Sequence, residues 1–155
     1  MMNIQPTIVS PSHLELRALI AKLDQELMER YPTEKIFGVD FDDPKVKEMT
    51  FVVAYDGDVP AGCGAIRPLG DKVVEIKRFY VAPAYRRKGV ASRILSFLEQ
   101  LTAEGGYTCI RLETGKNQDD AVGLYEKFGF GLIPCYGEYE GCEDSICYEK
   151  QLDVI

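Results

Sequence analysis

The run Arg86-Arg87-Lys88-Gly89-Val90-Ala91-Ser92 sets three consecutive cations against small residues, where a strand-like segment gives way to a helical one. The first N–H groups of a helix have no intrahelical partner and lie at the positive end of its dipole. Gly89 and Ala91 let a ligand approach the backbone closely. Together these features make a site for a phosphate-bearing anion. The bland reading is a solvated basic turn before an ordinary amphipathic helix. Neither G-x-x-x-x-G-K-[ST] nor G-x-G-x-x-G occurs in the chain, so neither a nucleotide P-loop nor a dinucleotide fingerprint is expected.

Two further residues bear exchangeable protons near this turn in sequence. Glu75 precedes it, and Tyr125 lies in Leu124-Tyr125-Glu126-Lys127-Phe128-Gly129-Phe130. Residues 86–91 match the pattern [QR]-x-x-G-x-[GA], and residues 124–130 match L-Y-x-K-x-G-F. Both patterns resemble signatures of the GNAT family of N-acetyltransferases. The resemblance covers about residues 5–152, with its motifs in 72–131. It implies that Arg86, Arg87, Lys88, Gly89, Val90, Ala91 and Ser92 cradle the pyrophosphate of coenzyme A, with acetyl-CoA as cosubstrate. The main-chain N–H of Phe79 is expected to meet the acetyl carbonyl, and Val81 to pair with the pantetheine arm as a strand would. Asn117 matches a position that contacts pantetheine or phosphate, and it also suits a plain N-cap.

Transfer from a thioester to an amine needs an acceptor that loses a proton, donors for a developing oxyanion, and a proton for the leaving thiolate. By resemblance, Glu75 is the base, directly or through a water. It lies 14 residues before Gly89, the spacing of the family's histone-acetylating members. The competing role is an exposed strand glutamate paired with Lys77. Tyr125 is the acid by the same resemblance, its hydroxyl reaching the coenzyme A sulfur. A phenol of pKa about 10 stays protonated at neutral pH and can serve a thiolate whose conjugate acid is near 8.5. The competing role is a core tyrosine.

The elements that must position these groups follow from periodicity. Thr7–Val9 reads as a strand. A helix follows, with Leu16, Leu19, Ile20, Leu23 and Leu27 on one face; Ser12-His13-Leu14-Glu15 resembles a capping box, Ser10-Pro11 offers a competing start, and Pro32 stops the run. His13 is expected to be an exposed helix-start residue. Residues 33–49 read as loop with a short helix near 44–49. Strands are expected at 51–55 and about 59–67, joined at Asp56-Gly57. Gly62-Cys63-Gly64-Ala65 lacks bulk and implies close packing or a bulge. In 72–82 the apolar parity breaks between Ile76 and Phe79, and one β-bulge near 77–79 restores it. Val90, Ile94, Leu98 and Leu101 stripe a helix that ends at Gly105-Gly106. A strand at 107–113, a helix carrying Ala121, Leu124, Tyr125 and Phe128, a short strand at 131–134 and an edge strand at 145–152 complete the chain. The fold class is α/β (α+β): a mixed, mostly antiparallel central sheet with helices on both faces. The family resemblance adds a splayed parallel strand pair. One domain is expected over residues 1–155.

Composition bounds the rest. A hydrophobic share of 46% supports a packed core, and a net charge of −7 disfavours nucleic acid as a partner. No apolar run nears the roughly 20 residues of a membrane span. Met1–Pro6 lacks the pattern of a signal peptide, and five cysteines without C-x-x-C spacing suggest reduced thiols in a cytoplasm. No metal site is expected, since the one histidine lies far from the cysteines in sequence. The expected partner is a small-molecule or peptide amine acceptor. Oligomeric state stays open, a homodimer included. An acetyl-CoA-dependent N-acetyltransferase, acting by direct attack in a ternary complex, competes with a non-catalytic acyl-CoA sensor. Turnover of any amine separates the two. A phosphate-binding module of another fold would leave the motif at 124–130 unexplained.

Overall fold

Runs of apolar residues lay down the strands, and turns at Gly57 and Gly70 join β2 to β3 and β3 to β4 as hairpins. The computed structural model describes residues 3–31, 38–116 and 118–152. In chain order these form β1 (Ile4–Val9), α1 (Leu14–Met28), a 3-10 turn (Pro44–Glu48), β2 (Thr50–Asp56), β3 (Val59–Gly70) and β4 (Val73–Val81). There follow α2 (Val90–Glu104), β5 (Cys109–Gly115), α3 (Asp119–Lys127), β6 (Gly131–Ile133) and β7 (Ser145–Gln151). One seven-stranded sheet runs β1-β2-β3-β4-β5-β7-β6. Every neighbouring pair is antiparallel except β4–β5.

The two sheet faces bury two clusters. On one face Leu16, Leu19 and Ile20 of α1 pack on Phe51, Val53, Ala65 and Tyr80. On the other, Val90, Ile94, Leu95 and Leu98 of α2 and Tyr125 of α3 pack on Val52, Val74, Ile76, Ile110 and Leu112. Each such large apolar side chain contributes about 1.5–3 kcal/mol when removed from water.

The expected bulge is present. Cys63 pairs with Tyr80 and Ala65 with Lys77, so Gly64 alone opposes Arg78 and Phe79. Arg78 takes a positive φ of 54°. The extra residue returns Phe79 and Val81 to the α2 side with Val74 and Ile76. The bulkless stretch is explained by close packing as well. A Cβ on Gly62 would lie 2.6 Å from the Tyr80 carbonyl oxygen, and one on Gly64 would lie 3.0 Å from Leu98 Cδ1. β4 pairs with β5 only from Val73↔Cys109 to Ile76↔Leu112. Beyond that point the two strands part.

Three expectations are corrected. β7 is not an edge strand, because β6 covers it and forms the edge itself. The other edge is β1, in which Pro6 stands opposite Ala54. The cap of α1 is His13, not Ser12: the chain first turns with His13 N–H donating to the Ser10 carbonyl (3.0 Å), and His13 Nδ1 then accepts from Leu16 N–H (3.4 Å). Cys135 and Cys147 are joined as a disulfide, with Cα atoms 5.1 Å apart, whereas Cys63, Cys109 and Cys142 are free. Spacing rules look for neighbours in sequence, but this partner is brought round by the reversal between β6 and β7.

Gly62→Ala should destabilise the protein by about 1–3 kcal/mol, because the opposing atom is backbone and cannot swing aside. Gly123→Ala, within α3 with open space at its Cβ position, should stabilise it by about 0.5–1 kcal/mol. Urea midpoints of the two variants should therefore move in opposite directions. A Gly62→Ala midpoint equal to wild type would contradict the close approach of β3 and β4.

Candidate active site

Where β4 and β5 separate, a cavity of about 430 Å³ opens. Ile76, Lys77, Arg78 and Phe79 line it from β4, and Glu113, Thr114 and Gly115 from β5. Leu23, Leu27 and Tyr31 form an apolar wall on the α1 side, and Tyr139 and residues 141–145 form the opposite wall. Tyr125 looks in from α3. The opening continues along Phe79, Val81, Arg86, Gln118 and Ala121 towards the cationic turn.

The turn has the expected form. Arg87 (φ 62°) and Gly89 (φ 84°) take left-handed conformations, and Gly89 caps α2 with no side chain bonded to the helix start. A Cβ on Gly89 would meet nothing within 4 Å. Arg87, Lys88 and Gly89 are exposed, Ala91 and Ser92 half-buried, and Val90 buried in the core. Arg86 differs from its neighbours: it pairs with Glu26 (2.7 Å), and its Nε donates to the Val81 carbonyl (2.9 Å). It fastens the turn to the end of β4 and to α1.

The backbone of β4 beyond the bulge faces the opening. Ala82 N–H donates to the Ala61 carbonyl at 2.8 Å, on the β3 side. Alternate residues of a strand point their polar groups to the same edge. Tyr80 therefore shares the β3 side, and Phe79 and Val81 turn towards the gap left by β5.

Tyr125 is buried among aromatic rings. Phe79 and Phe130 meet it edge-on at 6.2 and 5.8 Å, and Tyr148 tilts against it at 6.2 Å. Burial raises its pKa, with a further rise from the negative charge of Glu113, so the phenol keeps its proton. Glu75 stands elsewhere than expected. It is 0% exposed and does not line the cavity. Arg67 and the Tyr136 hydroxyl (2.7 Å) hold its two oxygens. Lys77 donates to the Tyr139 hydroxyl at 2.8 Å, and burial lowers its pKa against the opposing charge of Glu75. Asn117 lies outside the described residues.

Three carboxyl groups do line the cavity: Glu143 and Asp144 from the opposite wall and, from β5, Glu113. Glu113 sits beyond the last β4–β5 pair, and Ser145 Oγ donates to it at 2.7 Å. Burial raises its pKa, against the opposing effects of the Ser145 hydrogen bond and Lys77. The sequence reading missed Glu113 in this role, along with Arg67, Ser145, Tyr136 and Tyr139. The usable signal was parity. Ile110 and Leu112 point into the α2-side core, which places Glu113 on the opposite face at the C-terminal end of a parallel strand.

The profile of the Acetyltransferase (GNAT) family matches residues 16–130. The chain belongs to the GNAT acetyltransferase family. This acetyltransferase is 33% identical over 123 residues to the uncharacterised N-acetyltransferase YsnE of Bacillus subtilis, covering 78% of the chain and 82% of that protein. It is 31% identical to the IAA acetyltransferase of Azospirillum brasilense, over 98% of the chain and all of that protein. A candidate acyl-CoA N-acyltransferase from Klebsiella pneumoniae superposes with a TM-score of 0.86 at 26% identity, covering 97% of this chain and 98% of that one. The acetyl-CoA-bound GNAT protein of Elizabethkingia anophelis shares the fold, with a TM-score of 0.72 at 18% identity over 97% and 99% of the two chains. Enzymes of the family act on small-molecule or peptide acceptors. Among the described residues, no helix of the acetyltransferase is long and apolar enough to cross a membrane.

The raised Glu113 carboxyl has a consequence for stability. The native state holds this proton over a pH window in which the unfolded chain has lost it, so stability falls as pH rises through that window. Glu113→Gln removes the loss. The variant should melt higher than wild type at neutral pH, with the gain vanishing below about pH 4, where both states are protonated. Melting curves at the two pH values check this. A neutral-pH variant that melts lower would mean that Lys77 and Ser145 outweigh burial.

Proposed function

We propose that the protein transfers the acetyl group of acetyl-CoA to a primary amine, on a small molecule or a peptide, by direct attack with both substrates bound. The observation that carries this reading is the gap between β4 and β5, with an uncapped cationic helix start at one end and Glu113 and Tyr125 at the other. The groups fit a coenzyme A thioester. Exposed Arg87 and Lys88 and the free N–H groups of α2 suit a pyrophosphate. The main-chain edge at Phe79 and Val81 suits an amide-bearing arm laid along it. When bound, the thioester supplies an activated acetyl group.

The chain's own residues supply the rest. The amine enters between α1 and residues 139–145, against Leu23, Leu27 and Tyr31. Phe79 N–H is placed to donate to the acetyl oxygen. Glu113 takes the proton that the incoming ammonium must lose, a task for which a carboxyl raised by burial is better suited than an exposed one. Tyr125 holds a proton at Oη for the departing sulfur. Glu75 was expected as the base, but its two oxygens are already engaged; of the carboxylates lining the cavity, Asp144 is paired with Lys116, Glu143 is exposed, and Glu113 stands on β5 with its pKa raised by burial. A screen of amines that reads free coenzyme A, run beside melting with and without acetyl-CoA, tests the reading as a whole.

Saturation with acetyl-CoA at 100 times its Kd should add roughly 2.7 kcal/mol of stability. Gly89→Asp should abolish that gain while the fold survives, since its side chain enters open space and brings a like charge to the phosphates. A normal acetyl-CoA shift in Gly89→Asp would place the anion elsewhere.

With an acceptor in hand, Tyr125→Phe should lower kcat by about 10²-fold or more at little cost in cofactor affinity. Glu113→Gln should erase the acid limb of the kcat/KM profile, a limb lying above the ordinary carboxylate range. An unchanged kcat in Tyr125→Phe, with chemistry rate-limiting, would return Tyr125 to a packing role.

A further inference from the structure

We infer that Glu75 is the buried anchor of the acceptor wall, a positioning residue that holds residues 134–144 over the cavity through Tyr136. The inference rests on the proposed function only for the purpose of that wall.

The geometry starts at the sheet. Arg67 of β3 stands directly opposite Glu75 of β4 and takes one carboxylate oxygen. The Tyr136 hydroxyl donates to the other at 2.7 Å. The Tyr136 ring meets Tyr139 edge-on, with centroids 5.4 Å apart at 87°, and the Arg111 guanidinium lies 5.3 Å over it. Tyr139 is 1% exposed and accepts from Lys77 Nζ. Two tyrosines thus plug the segment into charges buried on β4.

The remainder of the segment is held by short-range turns, such as Cys142 N–H to the Tyr139 carbonyl (3.1 Å) and Ser145 N–H to the Cys142 carbonyl (3.1 Å). It contains one 3-10 turn, Gly137–Tyr139, and two glycines of positive φ, Gly137 (54°) and Gly141 (76°). Its ends are tied separately, by the Cys135–Cys147 disulfide and by the ion pair of Asp144 with Lys116 (3.2 Å). The cavity-facing residues 141–145 follow directly after the tyrosine plugs. A charge-assisted hydrogen bond to a fully buried carboxylate is strong, and removing that carboxylate leaves Arg67 without this partner. A base must come within hydrogen-bond reach of the proton it takes. Glu75, away from the cavity and engaged at both oxygens, is arranged to hold, whereas Glu113 is arranged to react.

Hydrogen–deuterium exchange of the intact protein tests this without a known acceptor. Glu75→Gln and Tyr136→Phe should each speed exchange of the 134–144 amides by tenfold or more, leaving α1 and α2 unchanged. The double variant should be no faster than Glu75→Gln alone, because Tyr136→Phe removes one of the links that Glu75→Gln already breaks. Acetyl-CoA should still raise the melting temperature of both variants, and its loss in wild type would sink the proposed function rather than this inference. If Glu75→Gln fails to fold, Tyr136→Phe carries the test, since it removes one oxygen. Unchanged exchange in Tyr136→Phe would overturn the anchor. The second readout is acetyl-CoA hydrolysis, with water as acceptor, followed against pH. Glu75→Gln should keep the acid limb that Glu113→Gln loses, and losing it would make Glu75 the base.

Discussion

One extra residue in β4 governs the rest of the architecture. Arg78 and Phe79 share a single partner, Gly64, and the strand bends away from β5 at that point. A non-glycine residue at φ 54° costs of order 1–3 kcal/mol. The Arg78 side chain is buried there and paired with Asp24. Without the bend the parallel ladder would run on and satisfy every main-chain group. With it, a stretch of strand edge has no partner strand beside the start of α2, and its Val81 carbonyl is taken by Arg86 Nε. The glycines of β3 belong to the same device. They let α2 and β4 approach closely enough for Ile94 and Leu98 to fill the space above them.

Beneath the cavity, Arg67, Glu75, Lys77 and Glu113 put alternating charge on one side of the sheet, where apolar residues would pack more cheaply. Burial acts on these groups unequally. It lowers the Lys77 pKa and raises that of Glu113. Glu75 is shielded by an arginine and a tyrosine. Two glutamates on adjacent strands thus have different surroundings and different chemical prospects. For Glu113 burial is the largest effect, and the Ser145 hydrogen bond opposes it.

Much of this was legible in the residues. Apolar spacing gave α1 and α2, and the parity break between Ile76 and Phe79 located the bulge before any coordinates. The cationic turn was legible because its residue types and its place between strand and helix agree. Other features depended on long-range encounters that spacing does not record. Tyr136 and Tyr139 lie between the last two expected strands, where periodicity is silent, and only the return of the chain over β4 and β5 brings them to Glu75 and Lys77. Glu75 was placed on the correct face of its strand, yet its distance from the opening depends on Arg67 and Tyr136 closing over it. The order β5-β7-β6 could not be read either, because β7 inserts between two strands that precede it in the chain.

The two ends of the sheet have a bearing on how copies of the molecule behave towards each other. An open sheet exposes a row of donors and acceptors at each margin, and such rows recruit other chains. Here one margin is interrupted by Pro6, which has no N–H to offer, and the other is a strand of only three residues. An arriving strand finds a broken template on one side and a very short one on the other. Crowded copies therefore gain little by zipping edge to edge, and the seven-stranded sheet is guarded against fibre growth at its ends.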